Sequence, residues 1–268
     1  MDEDKIQVFS AETLNDVFYH IKTVAGLKIT GSCTKTSPLP EKLLSTCSIK
    51  ELTEITRKEN YIETGAAVTL GKLTALGNSK LPKVLYEAIT SIATPHIRNI
   101  ATIGGNVCLF PVRGTLFAPL LALDAGFVLQ NEEETLTVPA VKFLSVPNSH
   151  VLTKIRIPTE DWDISEFHRA GASHHLLETS SSYAFLANAE NDILTKIRFA
   201  FSGLHTFRSI SLENKIEGSR LPLEEKSVSD FIKDAGDEFD KIFEEGRDPS
   251  PVKKEFLRFV AYSLKKLS

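Results

Sequence analysis

Cysteine is scarce: only Cys33, Cys47 and Cys108 carry a thiol, an odd number with no C-x-x-C spacing. That excludes a disulfide framework and argues against a zinc site or iron–sulfur cluster held by this chain alone. Free thiols fit a reducing compartment. No run of about 18 apolar residues occurs, so no membrane span is expected. The opening Met1, Asp2, Glu3 and Asp4 is acidic where a secretory signal would be basic and then apolar. These absences point to the cytoplasm. Charge of one sign is not in excess either: 31 Lys and Arg stand against 35 Asp and Glu, a net charge of -4. Neither a nucleic-acid partner nor a membrane surface is expected.

Familiar catalytic patterns are missing too. No G-x-G-x-x-G follows a strand, which removes a Rossmann cofactor site. The interval from Gly65 to Gly71 is one residue too long for a phosphate loop, Leu73 stands where Ser or Thr would bind magnesium, and Gly65 reads as the turn before a strand. His20, His96, His150, His168, His174, His175 and His205 form no H-E-x-x-H or Cys/His ligand pair, and read as surface or hydrogen-bonded side chains. There is no G-x-S-x-G elbow, so Thr179 to Ser182 reads as a cap or loop. No catalytic residue and no metal-ligand set emerges.

What is present is an ordinary globular composition, 42% hydrophobic and 25% charged, over a length that suits one large or two modest domains. Ile6 to Phe9 reads as a strand, and Ser10 as the cap of a helix bearing Leu14, Val17, Phe18, Ile21 and Val24, stopped by Gly26. Leu27 to Thr30 is extended and ends at Gly31, Ser32, Cys33 and Thr34. Ser48 to Ile55 and Tyr61 to Thr69 read as strand, turn and strand. Pro82 opens a helix with Val84, Leu85, Ala88, Ile89 and Ile92 on one face, ended by Pro95. Leu116 to Ala125 reads as a buried helix, and Gly126 to Gln130 with Thr135 to Val138 as a hairpin. Val151 to Ile157 alternates as a strand that ends at Pro158. Thr159 to Ser165 is the expected linker. Beyond it Ser180 to Asn188 and Leu194 to Gly203 are two strands, or a helix and a strand, before a helical tail through Phe231 and Phe259. The expected domains are therefore residues 1–159 and 160–268.

Two segments hold small residues where backbone N–H groups can approach an anion: Lys28 to Lys35 and Thr102 to Asn106. A diphosphate needs many inward donors, and glycine lets the main chain come close. On spacing alone, a Gly-Gly pair after an apolar stretch reads as a tight turn.

The stretch HIRNIATIGGNVCLFPVRGTLFAPLLALDA, His96 to Ala125, resembles the signature of the FAD-binding subunit of molybdenum hydroxylases, of the xanthine dehydrogenase and carbon monoxide dehydrogenase medium-subunit type. YIETGAAVTLGKL at Tyr61 to Leu73 and VLTKIRIP at Val151 to Pro158 extend the likeness over almost the entire chain. The resemblance implies an α+β fold: a vanillyl-alcohol-oxidase-like FAD-binding part of two α+β subdomains, then a C-terminal α+β domain with a small antiparallel sheet. It also implies FAD as cofactor. One loop, here Lys28, Ile29, Thr30, Gly31, Ser32, Cys33, Thr34 and Lys35, would wrap the diphosphate. The other, here Thr102, Ile103, Gly104, Gly105 and Asn106, would hold the opposite side, with Leu152 of the closing strand also in contact.

Three positions depart from the family pattern. The first loop is usually A-G-G-T-D, and here Ser32 replaces the second glycine, which costs little unless its φ is positive. Thr115 stands where an acidic residue usually follows T-I-G-G-N. His168, after Phe167, stands where lysine is usual, so an imidazole replaces a permanent cation and would make a flavin potential depend on pH near 6 to 7. The segment Thr36 to Pro40 is more similar to the purine or selenium-dependent branch than to the carbon monoxide branch.

The implied function is an electron-transfer subunit, taking electrons from a molybdenum-cofactor large subunit through a two-iron two-sulfur small subunit and passing them through FAD to NAD or another acceptor. Two alternatives stand beside it: a flavin-free scaffold whose first loop has lost the cofactor, and a free-standing flavoprotein that uses NAD(P)H.

Overall fold

The computed structural model describes residues 6–35, 39–172, 176–242 and 250–268. Expectations on Met1 to Asp4, on residues 36–38 of the Thr36 to Pro40 segment, and on His174 and His175 lie outside the described residues. The chain forms two compact units. The first gathers Met1–Lys80, Ala93–Leu109 and Asp124–Thr159; the second gathers Leu81–Ile92, Phe110–Leu123 and Glu160–Ser268. Among the described residues no helix is long and apolar enough to cross a membrane.

In the first unit, β1 (Gln7–Ser10) leads into α1 (Leu14–Thr23), then to β2 (Lys28–Thr30) and β3 (Lys42–Ser45). The three strands form a parallel sheet in the order β1-β3-β2. The helix cap is Thr13 rather than Ser10, because Thr13 and Asp16 make a reciprocal capping box: Thr13 Oγ1 accepts from Asp16 N, and Asp16 accepts from Thr13 N. Val17 and Phe18 then face a core with Leu44, Ile49, Leu52 and Ala67, while Val24 is already the C-cap.

A second sheet, β4-β5-β8-β6-β7, is antiparallel and joins β4 (Ile55–Arg57), β5 (Tyr61–Gly65), β6 (Gly126–Gln130), β7 (Thr135–Pro139) and β8 (Val151–Pro158). Residues Lys50–Thr53 form a short 3₁₀ turn, not a strand. Gly65 ends β5 instead of preceding a strand. Residues 66–68 turn, Thr69 makes an isolated bridge to Thr102, and α2 (Leu70–Thr74) follows. A β-carbon on Gly65 would lie 2.2 Å from the Leu52 carbonyl oxygen, so close backbone approach, not turn chemistry, demands glycine there.

The second unit is built on an antiparallel sheet in the order β12-β11-β10-β9. Its strands are β9 (Ile164–Ala170), β10 (Ser181–Glu190), β11 (Ile193–Ser202) and β12 (Thr206–Phe207). Both long segments are thus strands, which decides the open alternative. Tyr183, Phe185, Phe199 and Phe201 pack on one face against α7 (Ile210–Ile216), α8 (Glu225–Asp240) and α9 (Ser250–Leu264). Two helices from earlier in the sequence belong to this unit: α3 (Lys83–Thr90) packs on β9, and α6 (Phe117–Ala122), buried at every position, packs on β10 and β11. Arg208 pins α6 in place. Its guanidinium donates to the Leu121 carbonyl at 2.8 Å and makes a bidentate pair with the buried Glu213 at 2.9 and 3.0 Å.

Candidate functional site

The two segments expected at a diphosphate lie in the first unit, and they touch. In this parallel sheet Thr30 pairs with Ser45, and the chain leaves β2 into the turn 31–35. A β-carbon on Gly31 would lie 2.6 Å from Thr102 Oγ1. Ser32 Oγ donates to the Ile100 carbonyl at 2.5 Å. The segment Ile100–Thr102 therefore backs the turn, a contact that no local sequence signal announces because the two partners are some seventy residues apart.

The left-handed residue of the turn is Cys33, with φ of 52°, and Ser32 is outside that region. The serine in place of the second glycine thus carries no φ penalty. The strain falls on Cys33, about 1–2 kcal/mol for a residue with a β-carbon. Among the described residues, the main-chain N–H groups of Ser32, Cys33, Thr34 and Lys35 find no acceptor. Consecutive unpaired N–H groups around a left-handed residue form a concavity that takes an anion. Lys28 and Ile29 on β2 are exposed, as are Ser32, Thr34 and Lys35, so the edge of this turn is open to a ligand. The donor set fits a diphosphate: N–H groups with lysines at both ends of the segment.

Thr102 to Asn106 is not the tight turn its glycines suggest. It opens α5 (Ile103–Val107), just after α4 (Pro95–Arg98), with Thr102 as N-cap. Its amides are spent inside the unit: Ile103 N on Val68 O, Gly104 N on Ala66 O, Gly105 N on Thr102 Oγ1 and Asn106 N on Thr102 O, all at 2.9–3.1 Å. The two glycines have different reasons. A β-carbon at Gly104 would lie 2.6 Å from Ala66 O, while Gly105 is exposed. This segment exposes Gly105 and offers no free N–H donors from residues 103–106. Leu152, on β8 opposite Leu129, is buried.

Thr115 and His168 lie in the second unit. Thr115 is buried just before α6. His168 pairs with Tyr183 across β9 and β10 and stacks on Phe259 of α9, centroids 5.0 Å apart and planes 9° apart. Its Nε2 is 3.6 Å from Glu166 Oε2, too far for a hydrogen bond. Burial pushes the imidazole below its ordinary value, helped by Lys266 and Arg258 and opposed by Glu166. His168 is thus a ring-stacked member of an aromatic layer, and burial moves its titration to lower pH than that of a free imidazole.

The family model of the FAD binding domain in molybdopterin dehydrogenase matches residues 5–160. "Probable aldehyde oxidase 4" of Oryza sativa subsp. japonica is 30% identical over 235 residues, which is 75% of this chain and 28% of that protein. The chain thus spans little more than a quarter of that relative, and 17% of a second rice aldehyde oxidase-like protein that is 29% identical. "Nicotinate dehydrogenase FAD-subunit" of Eubacterium barkeri is 32% identical over 108 residues, 39% of this chain and 36% of that one. Among solved structures, a carbon monoxide dehydrogenase chain from Hydrogenophaga pseudoflava superposes with a TM-score of 0.81 at 19% identity, covering 98% of this chain and 96% of that one. The fold is accordingly shared along its length. A matched domain that takes in both touching segments, on a fold of this extent, places the chain in the family of FAD-binding domains of molybdopterin dehydrogenases, with FAD as its cofactor.

Proposed function

We propose that this chain is the flavin-carrying electron-transfer component of a multi-subunit molybdenum hydroxylase. Its partners in this reading are a molybdenum-cofactor large subunit and a two-iron two-sulfur small subunit, with NAD or another acceptor receiving the electrons. Bound FAD supplies the redox chemistry, taking and giving electrons one or two at a time, and the protein supplies binding, orientation and electrostatics. That division of labour needs no nucleophile and no general acid.

The observation that carries this reading is the run of four unpaired N–H groups at Ser32–Lys35 around left-handed Cys33. In this role Ser32–Lys35 hold the diphosphate through main-chain donors, Lys28 and Lys35 add positive charge, and Thr102 holds the turn at the distance Gly31 permits. Gly105 and Asn106 complete the wall beside the exposed Ile100, and Leu152 is proposed to back the same site.

The test is a titration of the purified chain with FAD, followed by flavin fluorescence. Saturable binding with one FAD per chain is expected. Failure to bind would leave the flavin-free scaffold. Co-purification from the source cells, with molybdenum and iron measured on the complex, tests the partners.

A further inference from the structure

We propose that Cys33 and Cys47 form a redox pair that opens and closes the diphosphate turn. The inference rests on the reading of that turn as the FAD diphosphate site and adds its regulation.

The two thiols follow the C-terminal ends of neighbouring strands of the parallel sheet. Thr30 at the end of β2 and Ser45 at the end of β3 are register partners, and Cys33 and Cys47 follow them within a few residues. Each thiol meets a hydroxyl of the β2–turn segment: Cys33 Sγ is 3.1 Å from Thr30 Oγ1, and Cys47 Sγ is 3.3 Å from the Oγ of Ser32, the residue next to Cys33. Thr46 further ties the strand ends, donating from N and Oγ1 to the Thr30 carbonyl at 3.1 and 3.3 Å. Both cysteines are free and half-buried, and neither belongs to the apolar core of this unit. Packing therefore gives no reason for cysteine at either place. Cys33 also occupies a left-handed position where glycine or asparagine would be the cheap choice.

The oxidant in this proposal is hydrogen peroxide, the product of dioxygen when it takes two electrons and two protons from a reduced flavin. The thiolate of one cysteine attacks peroxide, the O–O bond breaks, and a sulfenic acid and water result. The second thiol then attacks that sulfur, the S–O bond breaks, and water leaves. In sum two thiols and one peroxide give a disulfide and two waters, with two electrons passing from sulfur to oxygen. A disulfide holds its Cα atoms about 4.4–6.8 Å apart. Ser32 Oγ stands against Cys47 Sγ, so closing the bond requires turn 31–35 to rotate and displaces Ser32 from Cys47. The N–H groups that face the diphosphate move with it. The bond thus competes with the cofactor, and a flavin that leaks electrons to dioxygen weakens its own hold.

The experiment uses the full chain carrying Cys108→Ser, which removes the exposed thiol. The reduced chain and the chain treated with one equivalent of hydrogen peroxide are compared by intact mass, by peptide mapping and by FAD titration. Oxidation is expected to remove the mass of two hydrogens, to link the peptides of residues 33 and 47, and to raise the FAD dissociation constant at least tenfold, reversibly with dithiothreitol. Cys47→Ser is expected to keep the affinity of the reduced chain and to abolish the response. Absence of the 33–47 link overturns the proposal whether or not FAD binds, and so does a linked chain with unchanged affinity. A reduced chain that binds no FAD refutes instead the functional reading on which the proposal rests.

Discussion

Gly31→Ala probes the contact on which the diphosphate turn depends. The backbone at Gly31 is not in the left-handed region, so alanine is acceptable to the main chain and the clash alone decides the outcome. The added carbon would lie 2.6 Å from Thr102 Oγ1 and 3.3 Å from Thr102 Cγ2. Thr102 is buried and cannot swing into solvent. Relief therefore displaces either the turn or the hydroxyl that caps α5 through Gly105 N at 3.0 Å. A lost N-cap costs about 1 kcal/mol and up to about 2, and displacing the packed turn costs about 1 kcal/mol or more. Against that, alanine restricts the unfolded chain by about 0.4–1 kcal/mol. The expected net loss is about 1–2 kcal/mol in urea unfolding, with a several-fold weaker hold on FAD. In a Thr102→Ala background the obstacle is gone, and Gly31→Ala should then be neutral or stabilising by up to about 1 kcal/mol. The double-mutant cycle must show coupling above about 1 kcal/mol. Additive costs would refute the account, because they would mean that Gly31 and Thr102 do not meet.

Gly65→Ala places a carbon 2.2 Å from a main-chain carbonyl that has no rotamer to escape to, and should cost about 3 kcal/mol in urea unfolding or prevent folding. Glu63 sits between Lys154 Nζ at 2.7 Å and Arg156 Nε at 2.9 Å. Burial raises its carboxyl, but the two cations together outweigh that and hold it below its ordinary value. Its contribution is present above about pH 4.3 and is lost as pH falls through the lower folded value. The stability gap between wild type and Glu63→Gln should therefore shrink on acidification, as read by melting at stepped pH. For His168 the sign is the reverse of a paired histidine: with the folded value depressed, stability is full above the ordinary value near 6.5 and falls as pH drops below it. Its imidazole should titrate below 6.5 by NMR, and His168→Phe, which keeps the stack on Phe259, should flatten that limb of the stability profile. Glu213→Ala leaves Arg208 buried without its counter-charge and should cost about 3–5 kcal/mol in the same unfolding assay.

Much of this architecture is legible in the chain itself, wherever one face of an element is apolar and the other is not. Val151, Thr153, Ile155 and Ile157 alternate because β8 lies in the middle of its sheet, and all four are buried. Val84, Leu85, Ala88 and Ile89 mark α3 for the same reason at helical period. The pattern fails where contacts are long-range or elements are short. Ala66–Thr69 looks extended, yet it turns to receive α5, since Ala66 O and Val68 O accept its first two amides. The strand β3 and the helix α7 are too brief to show a period. At the site, sequence points to the right two segments but not to what each offers. The paired glycines suggest free donors, whereas the Ala66 carbonyl takes the amide of Gly104 and the Thr102 hydroxyl that of Gly105, and the donors that stay free belong to a turn with only one glycine. Nothing local marks Cys33 as left-handed, since neither glycine nor asparagine stands there.

The central claim, that main-chain donors of Ser32–Lys35 hold the FAD diphosphate, is tested most directly by following backbone amide resonances of the isotope-labelled chain during titration with FAD and, separately, with inorganic pyrophosphate. The account predicts that Ser32, Cys33, Thr34 and Lys35 shift in both titrations, moving as acceptors arrive at their N–H groups. Saturable FAD binding with those four resonances unmoved would contradict it.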